Sequence, residues 1–250
     1  PSGVSGGSNL TKITEGAVSF DGSGDCLSIP DSSDFSFNGD FTVEAFVYQT
    51  VQADHKNIFS TEDFDFKIRS NGKVRIYTES SGTDTTQKVS LNKWTHLALV
   101  RESGTIKVYF DGVGETVSQT IASDGSSAAE VGRRIRGSQE PFDGFISNLR
   151  VVKGTALYTS NFTPPTEPLT AVTNTKLLCC QSNTEPGRAA VSPSISGINN
   201  GTNWSHYVTG DIDSSFPAWR AFRNDTVSVG CRTQTANGAT IVWQPPSPIA

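Results

Sequence analysis

Between Gly16 and Ser182 the chain is a long succession of short runs in which apolar and polar residues alternate, punctuated by three copies of Phe-Asp-Gly at 20–22, 110–112 and 142–144. Phe64, Phe66 and Ile68 alternate with Asp65, Lys67 and Arg69. Val74, Ile76 and Thr78 alternate with Lys73, Arg75 and Tyr77. Side chains on a strand point to opposite faces in turn, so a period of two marks sheets with one dry face and one wet face. Two further short strands are expected at 17–22 and 25–29. Ser70-Asn71-Gly72, Glu102-Ser103-Gly104, Asp111-Gly112 and Asp143-Gly144 supply hairpin-type turns between the runs. No segment sustains a 3.6-residue apolar period, so no long helix is expected. The pattern calls for an all-β fold, a large antiparallel β-sandwich.

Trp94 to Val100 is largely apolar on both faces, which predicts a central strand with Trp94 as a core anchor. From Gly154 the alternation ends. Tyr158 to Pro168 reads as an extended tail that wraps the sandwich, with Leu157, Tyr158 and Phe162 tucking in. Its prolines belong at sheet edges or in loops. Thr175 to Gln181 is expected to supply a closing strand. The chain then divides into a linker at 1–15, the sandwich at 16–182, a second linker at 183–201 and a small or truncated β unit at 202–250. That last unit is very short for an independent core. With its start at Pro1 and no Met, the sequence reads as a piece of a longer chain.

Net charge is -5 and no basic run occurs, which disfavours a nucleic-acid partner. No stretch is long and apolar enough to span a bilayer, and no signal peptide is visible. The four cysteines are Cys26, Cys179, Cys180 and Cys231, and none forms a C-x-x-C pair, so a zinc site is not expected. Neighbours on a strand point apart, so Cys179 and Cys180 should not both meet one partner. They read as small apolar filler, or as the source of one bridge to Cys26.

Val18 to Pro30, Phe35 to Val47, Lys93 to Val100 and Phe142 to Pro165, in this order and spacing, resemble the laminin-G-like, concanavalin A-like lectin/glucanase superfamily. The version they resemble is the one found in structural proteins of marine and cyanobacterial phages. The resemblance covers about two-thirds of the chain and implies a jelly-roll sandwich. One position departs from it: Cys26 stands where the resemblance implies an aromatic. A looser likeness links Trp204 to Ala250 to short β modules of phage tail proteins.

Glucanases of this superfamily present Glu-x-Asp-x-x-Glu on a strand, whose spaced carboxylates act as nucleophile and acid. The nearest acidic cluster here, Glu62-Asp63-Phe64-Asp65, lacks that spacing, so no enzyme is expected. His55, His96 and His206 form no Ser-His-Asp pattern, and His96 reads as a satisfied core or semi-buried histidine rather than a base. Gly3 to Gly7 matches Gly-x-Ser-x-Gly but has no strand-turn-helix context. No cofactor is required. The resemblance brings in calcium at the sandwich rim, for which Asp21, Asp25 and Asp143 are the candidate donors; the competing reading is that Asp-Gly makes tight turns, with Asp capping its own backbone. Sugar binding needs an exposed aromatic with polar groups nearby. Tyr77, Tyr109, Trp204 and Trp219 are the candidate platforms, against ordinary cross-strand packing. Candidate contact loops are Gln52 to Asn57, Glu79 to Gln87 and Ser123 to Ala129. Five Asn-x-Ser/Thr sequons carry no meaning in a phage product.

The resemblance implies a virion protein: part of a tail fibre, tail spike or capsid appendage that contacts host surface polysaccharide or neighbouring virion proteins. A homotrimer is one assembly such fibres adopt. The alternatives are a purely architectural decoration or spacer, and a secreted bacterial adhesin.

Overall fold

The computed structural model describes residues 16–79, 81–123 and 125–194, and the backbone of residues 208–209 and 240–241. In chain order the strands are β1 (Val18–Asp21), β2 (Leu27–Ser32), β3 (Phe41–Gln49), β4 (Lys56–Thr61), β5 (Phe64–Ile68), β6 (Lys73–Thr78) and β7 (Gly82–Lys88). They continue with β8 (Trp94–Glu102), β9 (Thr105–Phe110), β10 (Val113–Val117), β11 (Ser127–Val131), β12 (Asp143–Lys153), β13 (Thr175–Cys179) and β14 (Ala189–Val191). A short pair, β15 (Val208–Thr209) with β16 (Thr240–Ile241), falls in the expected C-terminal unit. Among the described residues the one helical element is a 3-10 turn, Ser33–Phe35, and no helix is long and apolar enough to cross a membrane.

Two antiparallel sheets make the sandwich. The first is eight-stranded, in the order β10-β9-β8-β3-β12-β13-β14, with β1 also paired to β12. The second is six-stranded, in the order β2-β11-β4-β5-β6-β7. The alternation read from the sequence decides which side chains meet between them. Val43, Ala45 and Val47 of β3, Leu97 and Leu99 of β8, and Val108 and Phe110 of β9 point inward from the first sheet. Phe59, Phe64, Phe66, Ile68, Val74 and Ile76 point inward from the second. A phenylalanine cluster fills one part of the gap: Phe37 lies 4.8 Å from Phe41 and 5.4 Å from Phe64, ring centre to ring centre. Aromatic contacts at such spacings add to the apolar burial that drives the sheets together.

Two sequence expectations change here. Residues 183–194, read as linker, carry β14, which pairs with β13 at the sheet edge. Ser194 is held to the sandwich as well: its N–H donates to Asp34 Oδ2 at 2.8 Å, and its carbonyl accepts from the Ser32 hydroxyl. Lys176 pairs with Asp34 at 2.8 Å. The second change concerns Cys179 and Cys180. Cys180 lies past the end of β13 with φ of 60°, which breaks the alternation, and the two sulfurs lie 3.7 Å apart in the core. Cys26 is free, as are Cys179 and Cys180, while Cys231 lies outside the described residues.

The outer face of the first sheet is partly covered. Residues 155–170 cross it as a strap. Tyr158 and Phe162 stack at 3.6 Å with nearly parallel rings. They lie over Ala98, Val100 and Tyr109. This confirms the wrapping tail expected from Tyr158 to Pro168. Beneath the strap sits a buried ionic knot on facing strands. Glu44 Oε1 accepts from Arg150 Nε at 2.9 Å and Nη2 at 2.6 Å. Glu44 Oε2 accepts from the Tyr158 hydroxyl at 2.8 Å and lies 3.0 Å from His96 Nε2. Arg150 Nη1 reaches the carbonyl of Thr170 at 2.7 Å, which fastens the far end of the strap. His96 is thus buried, as its strand position suggested, with Nε2 on Glu44 and with Nδ1 lacking a hydrogen-bond partner among the described residues.

Candidate functional site: an open aromatic row on the outer sheet face

Strand pairing sets side chains in rows across a sheet. On the outer face of the first sheet one row runs Ser19–Phe145–Tyr48–Trp94, across β1, β12, β3 and β8. The next row inward contains Ser147, Phe46 and His96. The strap covers the sheet from that row onward, because Phe162 packs on His96 with ring centres 5.8 Å apart. It stops short of Trp94.

The row beyond the strap is therefore open. Trp94 is 41% exposed and Phe145 38% exposed, with Tyr48 half-buried between them. Tyr48 lies 5.5 Å from Trp94 and 6.0 Å from Phe145, ring centre to ring centre. Val51, Leu91 and Val113 are also exposed, and all three sit at strand ends on the same side of the sandwich. Among the described residues, exposed large apolar side chains elsewhere come down to Val172. An apolar patch gathered at one end, next to polar groups, is a candidate interaction surface.

Those polar groups are the rim aspartates. Asp21 and Asp143 are register partners one row outward from Ser19 and Phe145, on the same face. Asp21 Oδ1 accepts from the N–H of Ser23 at 2.8 Å and more weakly from Gly24 at 3.4 Å. Asp25 Oδ2 accepts from the N–H of Asp21 at 3.3 Å. Asp143 Oδ1 accepts from the Thr50 hydroxyl, and the Asp143 carbonyl from the N–H of Thr50. On the other flank Asp111 Oδ1 accepts from the N–H of His96 at 2.9 Å, and Lys93 lies 3.4 Å from its other oxygen. The carboxylates serve the turns, as Phe-Asp-Gly chemistry favours. Among the described residues no three of His, Cys, Asp or Glu gather closely enough to hold a metal ion.

The other sequence candidates separate. Tyr109 was expected to be exposed on an outer sheet; it is 1% exposed because the strap lies on it, and its hydroxyl donates to the Tyr158 carbonyl at 3.0 Å. Trp94 was expected in the core and stands in solvent instead. Trp204 and Trp219 lie outside the described residues. Tyr77 is half-buried on the outer face of the second sheet, in a row Ser28–Glu130–Ser60–Asp65–Tyr77–Gly82 that crosses six strands. Lys67 Nζ stands 4.6 Å and the Arg134 guanidinium 5.2 Å from its ring centre.

That second face is closed around its charges. Asp65 is fully buried, 2.9 Å from Arg134 Nε and 2.8 Å from the Ser60 hydroxyl. Lys67 Nζ sits 2.7 Å from Glu140 and 3.5 Å from Asp65. These pairs pin the 132–142 segment onto the sheet. Of the three candidate loops, 79–87 is mostly edge strand β7, and 123–129 runs into β11; 52–57 lies at the aromatic end, next to Val51.

The laminin G model of the concanavalin A-like lectin/glucanases superfamily matches residues 21–157. The chain belongs to this superfamily. A putative carbohydrate binding protein from Bacteroides ovatus is similar at 21% identity and a TM-score of 0.51; the match covers 71% of this chain and 55% of that one. The chain thus spans about half the length of that protein. The heptameric SAP-like pentraxin of Limulus polyphemus shares 19% identity over 58% of this chain and 79% of its own, with a TM-score of 0.45. Domains LG4-5 of the mouse laminin alpha1 chain share 15% identity over 64% of this chain and 48% of theirs, with a TM-score of 0.47. At such identities the likeness is one of fold. No curated protein sequence matches the chain.

Proposed function

We propose that this superfamily member is a non-catalytic adhesion domain of a phage virion appendage, and that it binds host surface glycan at the open end of its eight-stranded sheet. The observation that carries the reading is the row Phe145–Tyr48–Trp94, an aromatic row on that outer face which the strap leaves bare. A pyranose ring offers an apolar C–H face to an aromatic ring and hydroxyl donors to nearby acceptors. The row supplies the first, and Asp21, Asp143 and Thr50 stand beside it for the second.

Presentation supports the reading. Ser194, from which the chain runs on, is clasped by Asp34 and Ser32 near the start of β3 and the end of β12, where Lys153 also reaches the Ser33 carbonyl. The aromatic row lies at the other end of those strands, roughly 20 Å away at ~3.3 Å per residue. The row and Ser194 thus lie at opposite ends of these strands. Weak single sites suffice on a particle that carries many copies. The virion setting itself rests on the likeness of Val18 to Pro30 and the other three segments to phage structural proteins.

The same exposed side chains favour a second reading, in which the patch packs against a neighbouring virion chain and binds no sugar. Binding of the full chain to purified host envelope polysaccharide, compared with Trp94→Ala, separates the two. Saturable binding that Trp94→Ala removes supports adhesion. A failure to bind any envelope component, with the patch buried against a neighbour in the imaged particle, replaces it with the architectural reading.

A further inference from the structure

The rim around the aromatic row carries a charge pattern that restricts the ligand, and the inference drawn from it rests on the glycan reading above. Asp21 and Asp143 flank the row on its outer side, Asp25 stands beyond the turn that follows Asp21, and Asp111 stands beside the Trp94 end. Lys93 stands beside the Trp94 end of the row, and it is paired with Asp111. Each carboxylate already accepts a hydrogen bond from a backbone N–H or a hydroxyl, so its position is fixed before any ligand arrives.

We propose that the row takes an internal stretch of an uncharged or amino-bearing polysaccharide and rejects acidic ones. Three points lead there. Like charges juxtaposed at an interface are strongly unfavourable, and fixed carboxylates on both flanks of the platform oppose a uronate or sialate. The same carboxylates accept from sugar hydroxyls, and an ammonium on an amino sugar gains further. The three rings stand abreast on neighbouring strands, which lie ~4.8 Å apart, so the platform runs across the sheet and suits consecutive rings of a chain lying perpendicular to the strands. A single terminal sugar would leave most of it uncovered.

The test is calorimetry of the full chain with three soluble oligosaccharide sets of increasing length: β-1,4-glucose oligomers, β-1,4-glucosamine oligomers and uronate oligomers. The expected result is affinity that rises with length to about three rings, with glucosamine oligomers tightest and uronates without measurable binding. Trp94→Ala is expected to weaken binding about tenfold or more, as removal of a central aromatic anchor does. Salt is expected to weaken the glucosamine complex more than the glucose complex. Asp143→Asn, whose amide oxygen still accepts from Thr50, is expected to shrink the preference for glucosamine. Uronates that bind as tightly as the others, through Trp94, would overturn the charge inference and leave the adhesion reading standing. No binding in any set, or a dimer that Trp94→Ala dissolves, would overturn both.

Discussion

Replacing Glu44 with alanine is expected to remove a large part of the domain's stability. Glu44 is 0% exposed and is the shared acceptor of Arg150, His96 and Tyr158. Without it the Arg150 guanidinium, itself buried, keeps the Thr170 carbonyl but loses its counter-charge. Breaking a buried pair from one side costs about 3–5 kcal/mol, because an uncompensated charge remains. Against a typical domain stability of about 5–15 kcal/mol, this is about a fifth of the total or more. The strap loses its Tyr158 anchor at the same time, so proteolysis within 155–170 should accelerate. Equilibrium urea unfolding measures the loss. The double variant Glu44→Leu with Arg150→Met should recover part of it, since an apolar pair of similar volume replaces a buried ion pair at little cost, while Tyr158 and His96 remain without their acceptor. Acid should act on the same knot. Burial alone would raise the Glu44 carboxyl, but the His96 hydrogen bond and the Arg150 charge outweigh it and hold the group below its ordinary range. A depressed folded value means that the stabilisation is complete above ~4.3 and is lost as pH falls through the folded value. A Glu44→Ala cost under about 1 kcal/mol, or a double variant no better than the single, would refute this reasoning.

Lys67→Met removes the cation between Glu140 and Asp65 and should cost about 3 kcal/mol, with hydrogen exchange rising first in 132–142. Phe64→Ala empties a site walled by Phe37, Phe41 and Phe59 and should cost about 3–5 kcal/mol in chemical unfolding. Gly144 has φ of 135°, and a Cβ there would stand 2.0 Å from the Tyr48 carbonyl oxygen. Gly144→Ala should therefore lower the thermal midpoint and disturb Phe145 next to it, a change visible in aromatic NMR shifts.

The inward-facing half of the sandwich was legible because its signal is local. Phe64, Phe66, Ile68, Val74 and Ile76 alternate over a few residues, and each lies in the core. The outward half was misread where a distant segment decides exposure. Trp94, His96, Ala98 and Val100 share one face of β8, but the strap buries the last three and leaves the first bare. The doubly apolar run therefore looked like a central strand from end to end. Tyr109 failed in the opposite sense, since its wet-face position lies under the strap. Glu44 meets His96 and Arg150 across separations of 52 and 106 residues, which no window along the chain can pair. The aromatic row did leave a trace: Tyr48 lies four residues beyond Glu44, on the same strand face, and Phe145 follows Phe142-Asp143-Gly144. The partners became visible only once the register placed β12, β3 and β8 side by side. Asp21 and Asp143 were found from the sequence, and they stand at this same end in turn-capping roles.

The most direct measurement is binding of the full chain and of its Trp94→Ala variant to host envelope polysaccharide, with both proteins shown to unfold at the same urea midpoint. Trp94 is exposed and touches little of the core, so its loss should leave the fold intact while binding falls about tenfold or more. Equal binding by the two proteins would contradict the assignment of the aromatic row as the ligand site.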